Sequence, residues 1–378
     1  MMQLRNRRVP GDPTGEMGEM GTPKRASSAP GGEVDLPQSA GEEPQLPHSA
    51  LEIRFEHVSK VYGTRSGATT ALRDLSLVVP PGEICCLVGP SGGGKTTAMR
   101  LVNRLIEASE GDILVGGRSI YTIDPVKLRR DIGYVIQDVG LFPHLTIAAN
   151  IAVPLRLHRW PKARARARVA ELLKLVGLDS AVAARYPAML SGGQQQRVGL
   201  ARALAVDPPI MLMDEPFGAL DPITRTRLQD EFLRLQRRLR KTVIFVTHDI
   251  DEALKMGDKV AVLREGGVLA QYASPAELLA APADEFVASF VGGDRGLKRL
   301  ALQTVGELCT GKSAAQLDSS ALPAVDAKAS LRTALSVLIE HHAKALAVSA
   351  DGRAIGIVTL EEVVRALPRA QLPEAPDR

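Results

Sequence analysis

Five apolar residues, Ile84 to Val88 (ICCLV), run directly into Gly89-Pro90-Ser91-Gly92-Gly93-Gly94-Lys95-Thr96-Thr97, and a stretch with helical periodicity follows at once. A buried strand, a glycine-rich turn and a helix start in that order leave few folds open. Glycine reaches backbone conformations closed to other residues, so successive N–H groups can turn inward around an anion. The helix behind the turn then presents the positive end of its dipole to the same anion. The run fits G-x-x-x-x-G-K-[ST] in the strand–turn–helix context that the pattern requires. In such a loop Lys95 neutralises the β- and γ-phosphates of ATP, and the Thr96 hydroxyl is placed to bind Mg²⁺.

Short apolar runs alternate with amphipathic stretches from Leu51 onward, which predicts an α/β domain. Residues 210–213 (IMLM) and 243–247 (VIFVT) read, like 84–88, as strands buried on both faces. Residues 96–108 read as a helix with Met99, Val102, Leu105 and Ile106 on one face, ending near Gly111. Pro161 opens another helix, and Gly177 stands where such a helix stops. Residues 1–50 are rich in proline and glycine, hold no aromatic side chain, and are expected to be disordered. A nucleotide-binding domain is expected over 51–293 with a helical subdomain at about 138–200, then a connection over 294–327. A compact helix–strand–strand–helix unit over 328–367 and a tail over 368–378 complete the chain. Thr359 and Glu362 make a capping box for the last helix of that unit.

No apolar run approaches the roughly 18 residues a membrane span needs, and no apolar segment follows Arg5, Arg7 and Arg8 as a secretory signal would require. A cytoplasmic protein, held peripherally at a membrane by a partner, is the expectation. The three cysteines, Cys85, Cys86 and Cys309, have no metal-ligand spacing, and neighbours in a strand point to opposite faces, so all three read as structural. A net charge of +4 over 378 residues is too slight to indicate nucleic acid. The basic runs Arg156–Arg168 (RLHRWPKARARAR) and Arg234–Lys241 lack interleaved aromatics beyond Trp160 and read as solvated helix faces.

Ile210-Met-Leu-Met-Asp214-Glu215-Pro216 ends a buried strand in two carboxylates. That places Asp214 beside a metal and Glu215 near an attacking water, with Glu215 the natural general base. Leu190-Ser191-Gly192-Gly193-Gln194-Gln195-Gln196-Arg197 is a second glycine-rich helix start, and Ser191 with the amides of Gly192 and Gly193 forms another anion site. One nucleotide cannot readily use both loops of one chain, so a second copy of the chain is implied.

With these motifs the chain resembles the ABC ATPase family over roughly residues 51–290. The resemblance implies a P-loop core of ABC type and an ATP-hydrolysing activity. It makes Gln137 (YVIQ) the switch glutamine that senses Mg²⁺ and the attacking water, and His248 (THD) the residue at the γ-phosphate. It likewise makes Asp221 (ALD) part of the loop crossing the dimer interface, Gln194 part of the second phosphate contact, and Tyr62 (VYG) the aromatic that stacks on adenine. Single nucleotide domains without a membrane span are typical of importers, whose permease subunits and substrate-binding protein are separate chains. Val102–Glu107, Ile132–Gln137, Gly140–His144 and Phe290–Gly293 are similar to the glycine betaine/carnitine/choline branch. Asp351–Thr359 (DGRAIGIVT) resembles one CBS repeat, a regulatory module appended in that branch. Importers of amino acids or polyamines, and an ABC ATPase acting on nucleic acid, are the alternatives.

Overall fold

The computed structural model describes residues 49–63, 67–137, 140–309, 322–351 and 353–366. The expectations of a disordered extension and a loose tail concern residues outside these, apart from Ser49 and Ala50.

Among the described residues the strands form three sheets. The first joins β1 (Ile53–Tyr62), β2 (Thr69–Val79), β4 (Glu110–Val115) and β5 (Arg118–Ser119) in the order β2-β1-β4-β5, with β1 antiparallel to both β2 and β4. The second contains β3 (Ile84–Val88), β6 (Ile132–Val135), β7 (Ile210–Asp214), β8 (Thr242–Val246), β9 (Lys259–Arg264) and β10 (Val268–Ala273). Its order is β10-β9-β3-β8-β7-β6, parallel throughout except for β10 at the edge.

Alternation along these strands divides the interior in two. Cys86, Val88, Met211, Met213, Val243 and Phe245 face one core, while Cys85, Leu87, Leu212, Ile244 and Val246 face the other, shared with the first sheet. The first face is covered by α5 (Lys162–Leu175), α6 (Gly192–Ala203) and α7 (Pro222–Leu239). On the second side lie α1 (Lys95–Val102) and α2 (Pro125–Arg130). A strand covered on both sides has few polar positions to spare, which is why ICCLV, IMLM and VIFV are unbroken apolar runs. Each such side chain contributes about 1.5–3 kcal/mol by leaving water. Burial pushes the Cys85 thiol up to about 12 and raises Cys86 as well, so both are unreactive core groups.

The helix expected over 96–108 stops at Val102. Arg104 takes a left-handed φ of 51° and sends its guanidinium to the carbonyls of Ile120 and Ile123, while Arg129 donates to the Asn103 and Arg104 carbonyls. The helix end is thus capped by Arg129 from elsewhere in the chain, and Leu105 stands 49% exposed instead of continuing the buried stripe. The helix opened by Pro161 and closed at Gly177, with φ of 66°, is present as α5.

Between Gln137 and Ser191 also lie the short helices α3 (Ile147–Ile151) and α4 (Val153–Leu157). After β8 come α8 (Ile250–Met256), α9 (Pro275–Ala280) and α10 (Glu285–Val291). The stretch read as a connection holds α11 (Arg295–Leu302), α12 (Val305–Leu308) and β11 (Ala324–Asp326). The strand β11 pairs in parallel with β12 (Ala345–Ala350), which is antiparallel to β13 (Arg353–Thr359). The helices α13 (Leu331–Glu340) and α14 (Leu360–Arg365) complete this unit, and the Thr359–Glu362 capping box is formed. Its core is separate from the other two and includes Leu300, Val305, Leu331, Leu338, Val348 and Val363. Lys298 of α11 ties it to α8, pairing with Asp251 at 3.0 Å.

Candidate functional site

In open parallel sheets ligands bind beyond the carboxyl ends of the strands. Four neighbouring strands of the central sheet deliver candidate residues there: β3 leads into Gly89, β6 into Gln137, β7 into Glu215 and β8 into His248.

Two glycines of the loop after β3, Gly89 and Gly94, are there for lack of room. A β-carbon on Gly89 would lie 2.1 Å from the Leu263 carbonyl oxygen, and one on Gly94 2.2 Å from that of Ala71. Gly92 and Gly94 have φ of 79° and 80°. Gly94 is the N-cap of α1 and supplies no side chain to its first amides, so these point unblocked into the loop. Lys95 donates to the Gly89 and Pro90 carbonyls at 2.8 and 2.9 Å. Burial lowers its pKa, against the opposing pull of the Glu215 and Asp214 carboxylates. The Thr96 hydroxyl donates to Asp214 at 3.1 Å. Burial raises Asp214, opposed by that hydrogen bond and by the charge of Arg100.

Glu215 carries a φ of 43°, a region that costs a non-glycine residue about 1–3 kcal/mol. The turn is held by the Glu215 amide, which donates to the Val246 carbonyl at 2.9 Å, and by the Gly218 amide, which donates to the Glu215 carbonyl at 3.1 Å. This conformation aims the carboxylate across to β8, where Glu215 Oε2 meets His248 Nδ1 at 3.1 Å. Lys95, Thr96, Asp214, Glu215 and His248 therefore converge. Gln137 sits exposed in the turn just after β6. Tyr62, at the end of β1, is 42% exposed with the Lys60 ammonium 5.0 Å from its ring centre.

Ser191 lies elsewhere. It caps α6 in a capping box with Gln194, and α6 starts at Gly192 and Gly193. Ser191, Gly192, Gly193 and Gln194 line a separate cleft with Asp221, the N-cap of α7. The amide of Thr224 hydrogen-bonds the Asp221 carboxylate and holds its pKa down. No residue of the Gly89–Thr97 loop lines that cleft.

Arg100 was missed by the sequence reading, although its charge acts on both Asp214 and Tyr134. Its place four residues after Thr96, on the same helix face, was the available signal. In the basic run, Arg168 pairs with Glu171 and donates to the Ala205 and Leu204 carbonyls, and Arg164 stacks over Trp160 at 3.9 Å. Lys241 departs from the solvated reading: it is buried and pairs with Asp207 at 2.9 Å.

The family model for ABC transporters matches residues 72–218, and that for the CBS domain residues 314–369. The osmoprotectant import ATP-binding protein OsmV of Salmonella typhimurium is 48% identical over 315 residues, 82% of this chain and 80% of that one. The chain belongs to the ABC transporter ATP-binding proteins. As an ABC transporter ATP-binding protein it binds and hydrolyses ATP. The glycine betaine/carnitine/choline transport ATP-binding protein OpuCA of Bacillus subtilis is 53% identical over 243 residues, covering 64% of this chain and 63% of that one. Among solved structures, the ATP-binding cassette MJ0796, a dimer in a post-hydrolysis state bound to ADP and Pi, matches with a TM-score of 0.53 and 34% identity. That match covers 59% of this chain and 98% of the cassette. The CBS match takes in β11. Among the described residues of this ABC transporter ATP-binding protein, no helix is long and apolar enough to cross a membrane.

Proposed function

We propose that this chain is the motor subunit of an importer for a quaternary ammonium osmoprotectant such as glycine betaine, choline or carnitine, attached through permease subunits to the inner face of the cell membrane. The observation that carries the motor reading is the strained turn at Glu215, which directs its carboxylate to His248 beside the loop of Lys95. The solute is read from the relatives, OsmV and OpuCA, whose names describe osmoprotectant import and glycine betaine, carnitine and choline transport.

In this reading the loop Gly89-Pro90-Ser91-Gly92-Gly93-Gly94-Lys95-Thr96-Thr97 holds the phosphates of ATP, and Tyr62 stacks on adenine. An anion beside Lys95 offsets the burial that lowers its pKa. Thr96 and Asp214 offer hard oxygen donors 3.1 Å apart at the phosphate edge. That suits Mg²⁺, which takes one or two protein oxygens and completes its shell from phosphates and water. Gln137 joins this set from the β6 turn. When bound, the cation neutralises charge developing on the phosphates. Glu215 orients the attacking water and accepts its proton, and His248 positions the γ-phosphate.

Ser191, Gly192, Gly193 and Gln194 face away from this loop in their own cleft with Asp221. They complete the phosphate site of a second copy, so that two chains placed head to tail enclose two nucleotides. Closing and reopening of that dimer moves the permease. The dimeric cassette MJ0796 supports this arrangement.

Reconstituted with its permease and substrate-binding protein in vesicles, the complex is expected to drive ATP-dependent uptake of a labelled quaternary ammonium compound. Uptake of an amino acid or polyamine, with none of glycine betaine, choline or carnitine transported, would refute the solute assignment. ATPase activity raised by DNA rather than by the permease would refute the transport reading.

The C-terminal unit is proposed as regulatory. Leu338, Ala347 and Val363 are buried within the unit itself, whereas Ile339, Ile355, Leu360 and Val364 remain exposed. A chain ending at Gly293 is expected to keep ATP turnover within about twofold, because its core lies apart from the other two. The same truncation is expected to alter the response of transport to salt or nucleotide, measured on the vesicles. An unchanged response to both would remove the regulatory role.

A further inference from the structure

Between α5, α6 and α7 lies a cavity of about 250 Å³ that takes no part in the phosphate site. Its interior is apolar, with Leu200, Met213, Phe217, Leu228, Phe232 and Leu235 among its walls. Leu228, Phe232 and Leu235 recur at helical spacing along α7, so one face of that helix forms a continuous wall.

Two features show that the cavity is more than a packing gap. Gln196 of α6 lines it and is only 7% exposed, yet its side-chain amide has no hydrogen-bond partner among the described residues. The amide of this largely buried side chain is therefore available to a ligand's oxygens in the cavity. The rim adds charge. Lys174, Arg234 and Arg238 stand exposed around the apolar interior, and none of the three forms an ion pair among the described residues. The acid at the rim, Glu231, is already paired with Arg197 at 2.8 Å, and that arginine also donates to the Val176 and Gly177 carbonyls. The net field at the mouth is positive above an apolar pocket lined on one side by the Gln196 amide.

We propose that this cavity binds a small amphipathic carboxylate, an aryl or medium-chain acyl acid. Its tail occupies the apolar interior, and its head meets Gln196 and the cations of the rim. An apolar cavity of about 150 Å³ already holds benzene, so this one suits a single ring bearing a short acid chain. The ligand would touch α6, which begins beside Ser191, and Pro216, which directly follows Glu215.

The test is calorimetric titration of the full chain with 3-phenylpropanoate and with its uncharged counterpart, 3-phenylpropanol. The acid is expected to saturate a single site and to bind about tenfold tighter than the alcohol. Arg238→Gln, a surface change that leaves the core intact, is expected to weaken the acid about threefold or more and leave the alcohol unchanged. Leu200→Trp, which fills the cavity, is expected to abolish binding of both. The absence of a saturable heat with the acid overturns the proposal. Equal affinity for acid and alcohol does the same, as does undiminished acid binding by the Arg238→Gln or the Leu200→Trp protein.

Discussion

Glu215→Gln is expected to lower ATP turnover by about 10²–10⁴-fold, or roughly 3–5 kcal/mol of barrier. The amide keeps the shape of the side chain and can still meet His248 Nδ1, at 3.1 Å in the native protein, so the turn and the fold are retained. What is lost is the oxygen that accepts a proton from water. Lys95, Thr96 and the loop amides are untouched, so binding of a fluorescent nucleotide should match that of the native protein. Steady-state phosphate release measures the first effect and equilibrium titration the second. Turnover within tenfold of native would exclude Glu215 as the base, and lost nucleotide binding would mean that the loop had been disturbed.

The second large effect concerns assembly. With ATP and Mg²⁺ the Glu215→Gln protein is expected to accumulate as a dimer, because the closed state can no longer be discharged by hydrolysis. Adding Ser191→Arg should weaken that dimer by about a hundredfold or more, since the bulky side chain fills the space that the phosphate of the second copy's nucleotide needs. Ser191→Ala is the control for the capping box, whose loss costs the helix only about 1 kcal/mol. Light scattering on the eluting protein reads both variants. A chain that stays monomeric in ATP, or a dimer that tolerates Ser191→Arg, would contradict the shared-nucleotide arrangement.

Much of the site was legible in the residues because its chemistry is local. A strand buried on both faces must be apolar nearly throughout, so ICCLV, IMLM and VIFV announce the parallel sheet. The functional groups then follow directly on the strand ends, within a few residues in the chain. Gly89 and Gly94 could be read as obligatory before the carbonyls of Leu263 and Ala71 were seen to crowd them. Helix starts were equally plain, since Ser191 with Gln194 and Thr359 with Glu362 each carry both halves of a capping box.

Where a feature depended on a partner distant in the chain, the sequence was silent. Nothing near Val102 says that α1 ends there; Arg129 and the carbonyls of Ile120 and Ile123 decide it. Lys241 looks like one more cation in a basic run until Asp207 pairs with it in a buried position. The three-residue strand β11 is too short for a periodic signal and exists because β12 offers it a parallel edge. Glu215 could be named from its neighbours, but its left-handed backbone and the reach of its carboxylate to His248 come from β8 lying beside β7. Sequence alone therefore determined which groups stand at the strand ends. Only the tertiary structure decided which of them meet, because strand order, and with it the distance between those ends, is set by contacts that no local pattern records.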